Sequence, residues 1–384
     1  MGGALMQMGN RPLAADTDDV VARTWLARRA RSVRVAMVVG ALAIVPAVFY
    51  AIAFALTWRD IGFDLRNAYL PAARDILHGL SPYATAGTQS FVDQTTYVYP
   101  PLLAIVVSPL TLLPATAASL LGVAAALLVI PTVLLLLGVR DWRCYGVVLL
   151  WAPVFDAIDN ANVSLLVALG LALTWKYRDR PLVASMALGV GVALKVFAWP
   201  LLLWPFVTGR LRAGASSIAV ATVAVMVPWA VLGFDGLWAY PALLRRLSEH
   251  EQDRSYSLHA VLTGVGLPSS VASGAMIGAC AALLVAVFLL GRRGAELPAF
   301  ALAIAAALAI SPIVWQHYLV LLVVPLAIAR PRLSIAWFLP LVLWASDLRG
   351  DNGALWQTVL VPAVAAAVVA SCVIPRGGRV RSGT

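Results

Sequence analysis

The chain has 384 residues, of which 61% are hydrophobic and 12% are charged, and its mean hydropathy is +0.88. An ordinary soluble domain carries about 25% charged residues, and its core cannot bury so much apolar surface, so the composition excludes a water-soluble protein. The net charge of +10 does not indicate a nucleic-acid partner. The basic residues are sorted along the chain, as membrane orientation requires.

Apolar runs separated by charged residues, proline or glycine predict an all-α membrane protein that crosses the bilayer many times. We predict a polytopic fold of about twelve transmembrane or re-entrant helices, at 35–57, 115–139, 144–157, 161–175, 182–194, 196–207, 215–233, 269–290, 297–312, 315–330, 333–345 and 354–374. Several runs are shorter than the roughly 20 residues of a perpendicular crossing. Short helices or re-entrant hairpins are therefore expected at 144–175, 182–207 and 333–345.

Alternating the sides of these helices places 20 of the 28 basic residues on one face and seven on the other, and leaves Lys195 inside an apolar stretch. The positive-inside rule makes the basic face cytoplasmic, so both termini are predicted in the cytoplasm. The expected organisation is a cytoplasmic tail at 1–33, an integral membrane domain at 34–374 and a second tail at 375–384. Abundant arginine and alanine with two lysines favour a GC-rich bacterial genome, and hence a multi-pass protein of a bacterial plasma membrane.

Two long connections, 58–99 and 234–258, fall on the predicted outer face and carry many of the polar residues. Loops longer than about 12 to 15 residues seldom serve only as connections, so both loops are expected to contribute to one site. Apolar residues recur at helical spacing over 65–78, which predicts an amphipathic helix at the membrane surface. Asp64 stands just before this helix, either as its N-cap or as a general base that takes a proton from an alcohol.

Lys195 is the strongly basic residue that this topology buries. An ammonium near the centre of a span costs roughly 2.5 to 3.5 kcal/mol on insertion scales, so a compensating partner is expected. A lipid phosphate on the outer side would be one. Snorkelling, or an internal pair with Asp156 or Asp159, is the alternative.

The remaining polar clusters each allow a structural interpretation beside a functional one. Asp156, Asp159, Asn160 and Asn162 lie at one predicted outer tip, where turn chemistry explains such residues. The charged loop 245–259 is either solvated or supplies an arginine to a phosphate.

Several segments together resemble glycosyltransferase family 87. They are Asp64 after the first span, Tyr69, Gly79 with Pro82-Tyr83, Tyr99-Pro100-Pro101, Lys195, Ser257-Leu258 and the run Ser311-Pro312-Ile313-Val314-Trp315-Gln316-His317-Tyr318. The resemblance extends over about residues 60–330. That family comprises polyprenyl-phosphate-mannose-dependent mannosyltransferases of the GT-C fold.

The resemblance implies inverting transfer of a mannosyl residue from polyprenyl-phosphate mannose to a glycolipid or lipid-anchored glycan on the extracytoplasmic face, with Asp64 as the general base. The implied donor-binding candidates are Lys195, His317, Tyr99, Trp315 and Arg254, and the acceptor or loop candidates are Tyr69, Tyr83, Asn160, Asn162 and Ser257. No cofactor is expected, and no metal-ligand spacing is present. The partners are then membrane lipids and the two lipid-linked substrates, and the sequence does not predict an oligomeric state.

Two other functions fit the same pattern. A transporter or lipid flippase would also have about twelve crossings with both termini inside, and Lys195 would then be a substrate-binding or coupling site. A glycan polymerase or ligase that uses a lipid-diphosphate donor is the second alternative.

Overall fold

A computed structural model describes residues 44–83, 95–346 and 354–374, together with Arg29 and Gly40. Within these residues the protein is all-helical and contains no strand, which confirms the predicted class. Almost all of the predicted tail at 1–33, the whole tail at 375–384 and part of the first outer loop lie outside the described residues, so these assignments stay predictions.

The helices are numbered in chain order within the described residues. They are α1 Ile44–Leu56, α2 Leu70–Leu77, α3 Pro101–Val107, α4 Ala115–Leu136, α5 Trp142–Leu149, α6 Ala152–Asp159, α7 Ser164–Lys176, α8 Pro181–Leu194, α9 Leu203–Val207, α10 Leu211–Val231, α11 Tyr240–His250, α12 Leu258–Gly264, α13 Ser269–Arg292, α14 Glu296–Ile310, α15 Val323–Ala329 and α16 Leu355–Val373. A π-helical turn, Leu65–Tyr69, leads into α2. Segments of 3-10 helix are Ser108–Leu112, Val196–Leu202, Gln252–Arg254, Gln316–Leu322, Ile335–Trp337 and Leu339–Ser346.

Four of the described helices, α4, α10, α13 and α16, are long and apolar enough to cross a membrane, and α6 with α7 forms a fifth crossing if this pair, bent by 116°, is one span. The predicted count of about twelve is therefore not confirmed. The other apolar helical stretches, counted together with the 3-10 segments that adjoin them, have 10 to 17 residues, fewer than the roughly 20 of a perpendicular crossing.

The structure divides one predicted helix, adds one that was not predicted and confirms a third. The predicted helix 144–157 is divided into α5 and α6 at Trp151, whose backbone is extended, because Pro153 starts a new helix without needing an N–H partner. Residues 101–112 are helical, although the sequence analysis assigned no helix there. The predicted amphipathic helix at 65–78 is present as the π-helical turn and α2.

The functional region is organised by α7 and α8, which are joined by the short turn 177–180 and pack against each other. Since the second helix returns along the first, Ser164 at the start of α7 and Lys195 just after α8 lie at the same end of the pair. The segment Gln316–Leu322 packs against both α6 and α7 at this end. The loop after α1 joins it through the Gly62 N–H, which donates to the Asp159 carbonyl at 2.6 Å.

Candidate active site

Asp64 lies at the start of the π-helical turn but does not cap it. Its backbone is helical, and its side chain makes no capping hydrogen bond, so the N-cap interpretation is wrong. Its Oδ2 instead accepts a hydrogen bond from Asn162 Nδ2 at 2.5 Å. The turn packs against α4 through Leu65, whose side chain occupies the space that a side chain at Gly122 would need. The loop after α1 therefore presents the Asp64 carboxylate to the tip between α6 and α7.

Asn162 is held from both ends of its amide. Its Oδ1 accepts hydrogen bonds from the Ser164 N–H at 2.8 Å and the Ser164 hydroxyl at 2.7 Å. Its Nδ2 donates to Asp64 and also to the Tyr69 hydroxyl, at 3.2 Å. The Ser164 N–H can only donate, which fixes Oδ1 on that side, so the amide must turn its N–H groups toward Asp64.

Lys195 extends this arrangement from the other side of the site. Its side chain is 2% exposed, and its Nζ donates to the Ser164 hydroxyl at 2.8 Å. The same Nζ lies 3.5 Å from the ring centroid of Tyr318 and 5.5 Å from that of Tyr99, so cation–π interactions stabilise its charge. Within the described residues Lys195 forms no ion pair with a carboxylate. A direct ion pair with Asp156 or Asp159, the internal pair considered from the sequence, is therefore absent among these residues.

These four residues form one connected set. We call Asp64, Asn162, Ser164 and Lys195 the Asp64–Lys195 network. A carboxylate stands at one end, an ammonium at the other, and two neutral side chains between them. Because the Asp64 carboxylate and the Lys195 ammonium do not pair with each other directly, both can interact with a ligand.

His317 forms a second polar contact beside this network. Asp156 Oδ2 lies 3.0 Å from the His317 backbone N–H and 3.1 Å from its Nδ1, and Asp156 Oδ1 accepts a hydrogen bond from Asn160 at 2.8 Å. With Nδ1 held by the carboxylate, the free ring atom is Nε2. This atom is buried and has no hydrogen-bond partner among the described residues, so it is available to a ligand.

The electrostatic setting of Asp64 suits a base. Asp64 lies in the loop after α1, outside the candidate spans, and burial raises the pKa of its carboxyl above the ordinary value. Nearby His317 and the hydrogen bond from Asn162 lower this pKa but leave it raised. A carboxylate with a raised pKa is a stronger proton acceptor at neutral pH than an exposed one.

Three predicted aromatic residues surround the two polar contacts. The Tyr69 hydroxyl donates to the Tyr99 hydroxyl at 3.4 Å, and their rings meet edge to face. The Trp315 ring lies 5.9 Å from that of His317. Tyr99 thus lies beside Lys195, and Trp315 lies beside His317.

A comparison with known protein families gives a separate indication of function. Residues 97–325, more than half of the chain, match the sequence profile of glycosyltransferase family 87. The chain belongs to glycosyltransferase family 87. The matched segment contains Asn162, Ser164, Lys195 and His317 and begins after Asp64. Neither the curated proteins nor the solved structures gave a match.

Membership of glycosyltransferase family 87 makes the protein a glycosyltransferase, with a sugar donor and an acceptor as its substrates. Within the described ranges no group of three or more His, Cys, Asp or Glu residues is placed to hold a metal ion. Whether transfer is independent of a metal stays a prediction from the sequence.

Two candidates of this family 87 protein lie apart from the network. Ser257 is buried, and its hydroxyl accepts the Ala260 N–H at 3.1 Å, so it caps α12. Arg254 is exposed on a 3-10 turn, where its backbone N–H donates to the Glu251 carbonyl. Their predicted roles at the donor or acceptor gain no geometric support.

Two further candidates support the site indirectly. The Tyr83 hydroxyl donates to the Tyr99 carbonyl at 3.0 Å, and its ring stacks on Trp229. Asn160 holds Asp156. Both side chains position residues that line the site.

Sequence reasoning missed Ser164 and the contact between Tyr318 and Lys195. Ser164 follows Asn162 by two residues and matches a glycosylation sequon, which the start of an apolar helix made implausible. The usable signal was a serine at the start of an apolar helix beside a predicted polar tip. Burial there requires the hydroxyl to find a partner.

Proposed function

We propose that this glycosyltransferase moves a mannosyl residue from polyprenyl-phosphate mannose to a hydroxyl of a glycolipid or lipid-anchored glycan, with inversion at the anomeric carbon. The proposed reaction takes place on the extracytoplasmic face of a bacterial plasma membrane. The observation that supports it is the Asp64–Lys195 network, which brings a carboxylate and an ammonium to one site without pairing them. In a single displacement the carboxylate would serve the attacking hydroxyl, and the ammonium would serve the leaving phosphate.

In this mechanism Asp64 takes the proton of the acceptor hydroxyl as its oxygen attacks the anomeric carbon. The bond between that carbon and the phosphate oxygen breaks, and the polyprenyl phosphate leaves with the electron pair. One N–H of the Lys195 ammonium donates to Ser164, so two N–H groups are left to donate to the departing phosphate. The free Nε2 of His317, when protonated, donates a further hydrogen bond. Stabilising developing charge in this way is usually the largest catalytic contribution.

A transporter is less well supported than transfer. Family membership identifies a glycosyltransferase, and the groups that would meet a ligand, Asp64, Lys195 and His317, fit a base and a phosphate site. A lipid-diphosphate donor would meet the same cations, and the experiment below distinguishes it from polyprenyl-phosphate mannose.

The test incubates the purified protein with radiolabelled polyprenyl-phosphate mannose and a glycolipid acceptor. We expect a labelled glycolipid whose new bond has the anomeric configuration opposite to that of the donor. GDP-mannose serves as the control and is expected to give no product. Retention of configuration, or product only from a lipid-diphosphate donor, would contradict the proposal, and lipid movement without product would favour a flippase.

A further inference from the structure

Ser164 has no role in the mechanism above, yet its hydroxyl connects the cationic half of the site to the amide. Its side chain is fully buried at the first residue of α7. Its Oγ lies 2.8 Å from Lys195 Nζ and 2.7 Å from Asn162 Oδ1. A serine at this position meets both partners at once.

The direction of each hydrogen bond follows from the available protons. A hydroxyl has a single proton, and the Asn162 Oδ1 can only accept, so the Ser164 proton points to the amide. The Ser164 oxygen must then accept from Lys195. Asn162 remains anchored by the Ser164 backbone N–H at 2.8 Å even without the hydroxyl. The hydroxyl is therefore dispensable for Asn162, whereas it is the described hydrogen-bond partner of the ammonium.

We propose that Ser164 is a positioning residue, whose hydroxyl holds the Lys195 ammonium at the place where it meets the donor phosphate. This inference rests on the proposed function, because it assigns the lysine to a lipid phosphate. The Tyr318 ring, 3.5 Å from Nζ, stabilises the ammonium from one side but offers no single acceptor atom for its N–H groups. The Ser164 oxygen provides such an acceptor and so fixes the direction of one N–H.

The experiment is a double-mutant cycle of Ser164→Ala and Lys195→Met, with equilibrium binding of radiolabelled polyprenyl phosphate to the purified full chain as the measurement. With Lys195 present, Ser164→Ala is expected to weaken binding roughly tenfold, since a hydrogen bond to a charged group is lost. In the Lys195→Met protein the same change should alter binding less than about twofold. Ser164→Thr keeps the hydroxyl and should bind within about threefold of the natural protein.

The matched control is Ser185→Ala, which removes another buried serine hydroxyl, one that bonds only backbone carbonyls of Pro181 and Ala213 in the described residues. It should leave binding of polyprenyl phosphate unchanged. Equal effects of Ser164→Ala with and without Lys195 would show a merely structural role and overturn the proposal.

The outcome remains interpretable if the proposed function fails. In that case the natural protein does not bind polyprenyl phosphate, and the same four proteins are compared by thermal unfolding. Ser164→Ala should then lower the Tm when Lys195 is present and leave it unchanged with Lys195→Met. An equal decrease in both backgrounds would overturn the contact itself.

Discussion

Helices α7 and α8 connect two clusters of charged residues that are built in opposite ways. At one end lies the Asp64–Lys195 network. At the other end, about 18 Å away along the 13 residues of α7, Glu296 pairs with Arg178 at 3.1 Å and with Arg210 at 2.9 Å, and Arg210 also pairs with Asp179 at 2.9 Å. We call these four residues the Glu296 cluster.

The difference between the two ends separates a structural role from a functional one. In the Glu296 cluster opposite charges touch directly and are partly exposed, so they satisfy one another and contribute modestly to stability. In the network the ammonium is buried, and a neutral amide and hydroxyl keep it apart from the carboxylate. Such an arrangement costs stability unless a ligand completes it, which favours the network as the substrate site.

The two lysines of the chain test this contrast most strongly, because they lie at opposite ends of the helix pair. Lys195→Met should lower kcat/KM for the proposed lipid-linked donor about 100-fold to 1000-fold, since the phosphate of that donor would lose its buried cation. Lys176→Met removes the exposed lysine at the end of α7 and should leave transfer within about twofold. A comparable loss in both variants would remove the distinction between the ends.

Asn162→Ala should have the next largest effect, a decrease of about 10-fold to 100-fold at neutral pH, because Asp64 loses a hydrogen bond to its charged form. The bond from Asn162 lowers the pKa of Asp64, so its removal raises that pKa. The proposed mechanism requires the Asp64 carboxylate, and the acidic limb of the pH profile should therefore move to higher pH, with partial recovery of activity in alkaline buffer. An unshifted limb would show that Asp64 does not set it.

Glu296→Gln should affect stability and leave catalysis unchanged. Two arginines lose their shared partner, which is about one third exposed, so the free energy of unfolding should fall by about 1 kcal/mol. Thermal unfolding measures this loss, and transfer should stay within about twofold of the natural protein. A catalytic defect without a change in Tm would show that this end also acts in the reaction.

Ala161→Gly should give the smallest change. Ala161 has a φ of +49°, a left-handed conformation that glycine adopts without the steric cost paid by alanine. The substitution should raise the free energy of unfolding by less than about 1 kcal/mol and preserve transfer, measured by denaturant unfolding and by product formation. A large decrease in transfer would mean that the exact tip conformation at Asn162 depends on the alanine side chain.

The helical class, most helix positions and the amphipathic segment after Asp64 could be predicted from the sequence because apolar periodicity and proline determine them locally. The number of crossings could not. Short apolar helices such as α14 and α15 are buried within the protein, and hydropathy does not distinguish burial in protein from burial in lipid.

The candidate site was predicted in part. Asp64, Lys195 and His317 stand out because charge in an apolar setting requires a partner, and resemblance indicated what the partner would be. Their connection through Ser164 depends on which tip meets which loop, across about 100 residues of sequence between Asp64 and Asn162. A tertiary contact of this kind has no signature in the local sequence.

In the proposed reaction the carboxylate of Asp64 removes the acceptor proton, and transfer by Asp64→Asn protein tests this role most directly. The amide keeps the shape and a hydrogen bond but cannot accept the proton, so single-turnover transfer should fall by about 100-fold to 10,000-fold, while the Tm and the binding of polyprenyl phosphate persist. Asp179→Asn, at the opposite end of the helix pair, should transfer normally. Near-normal turnover by purified, folded Asp64→Asn protein would contradict the account.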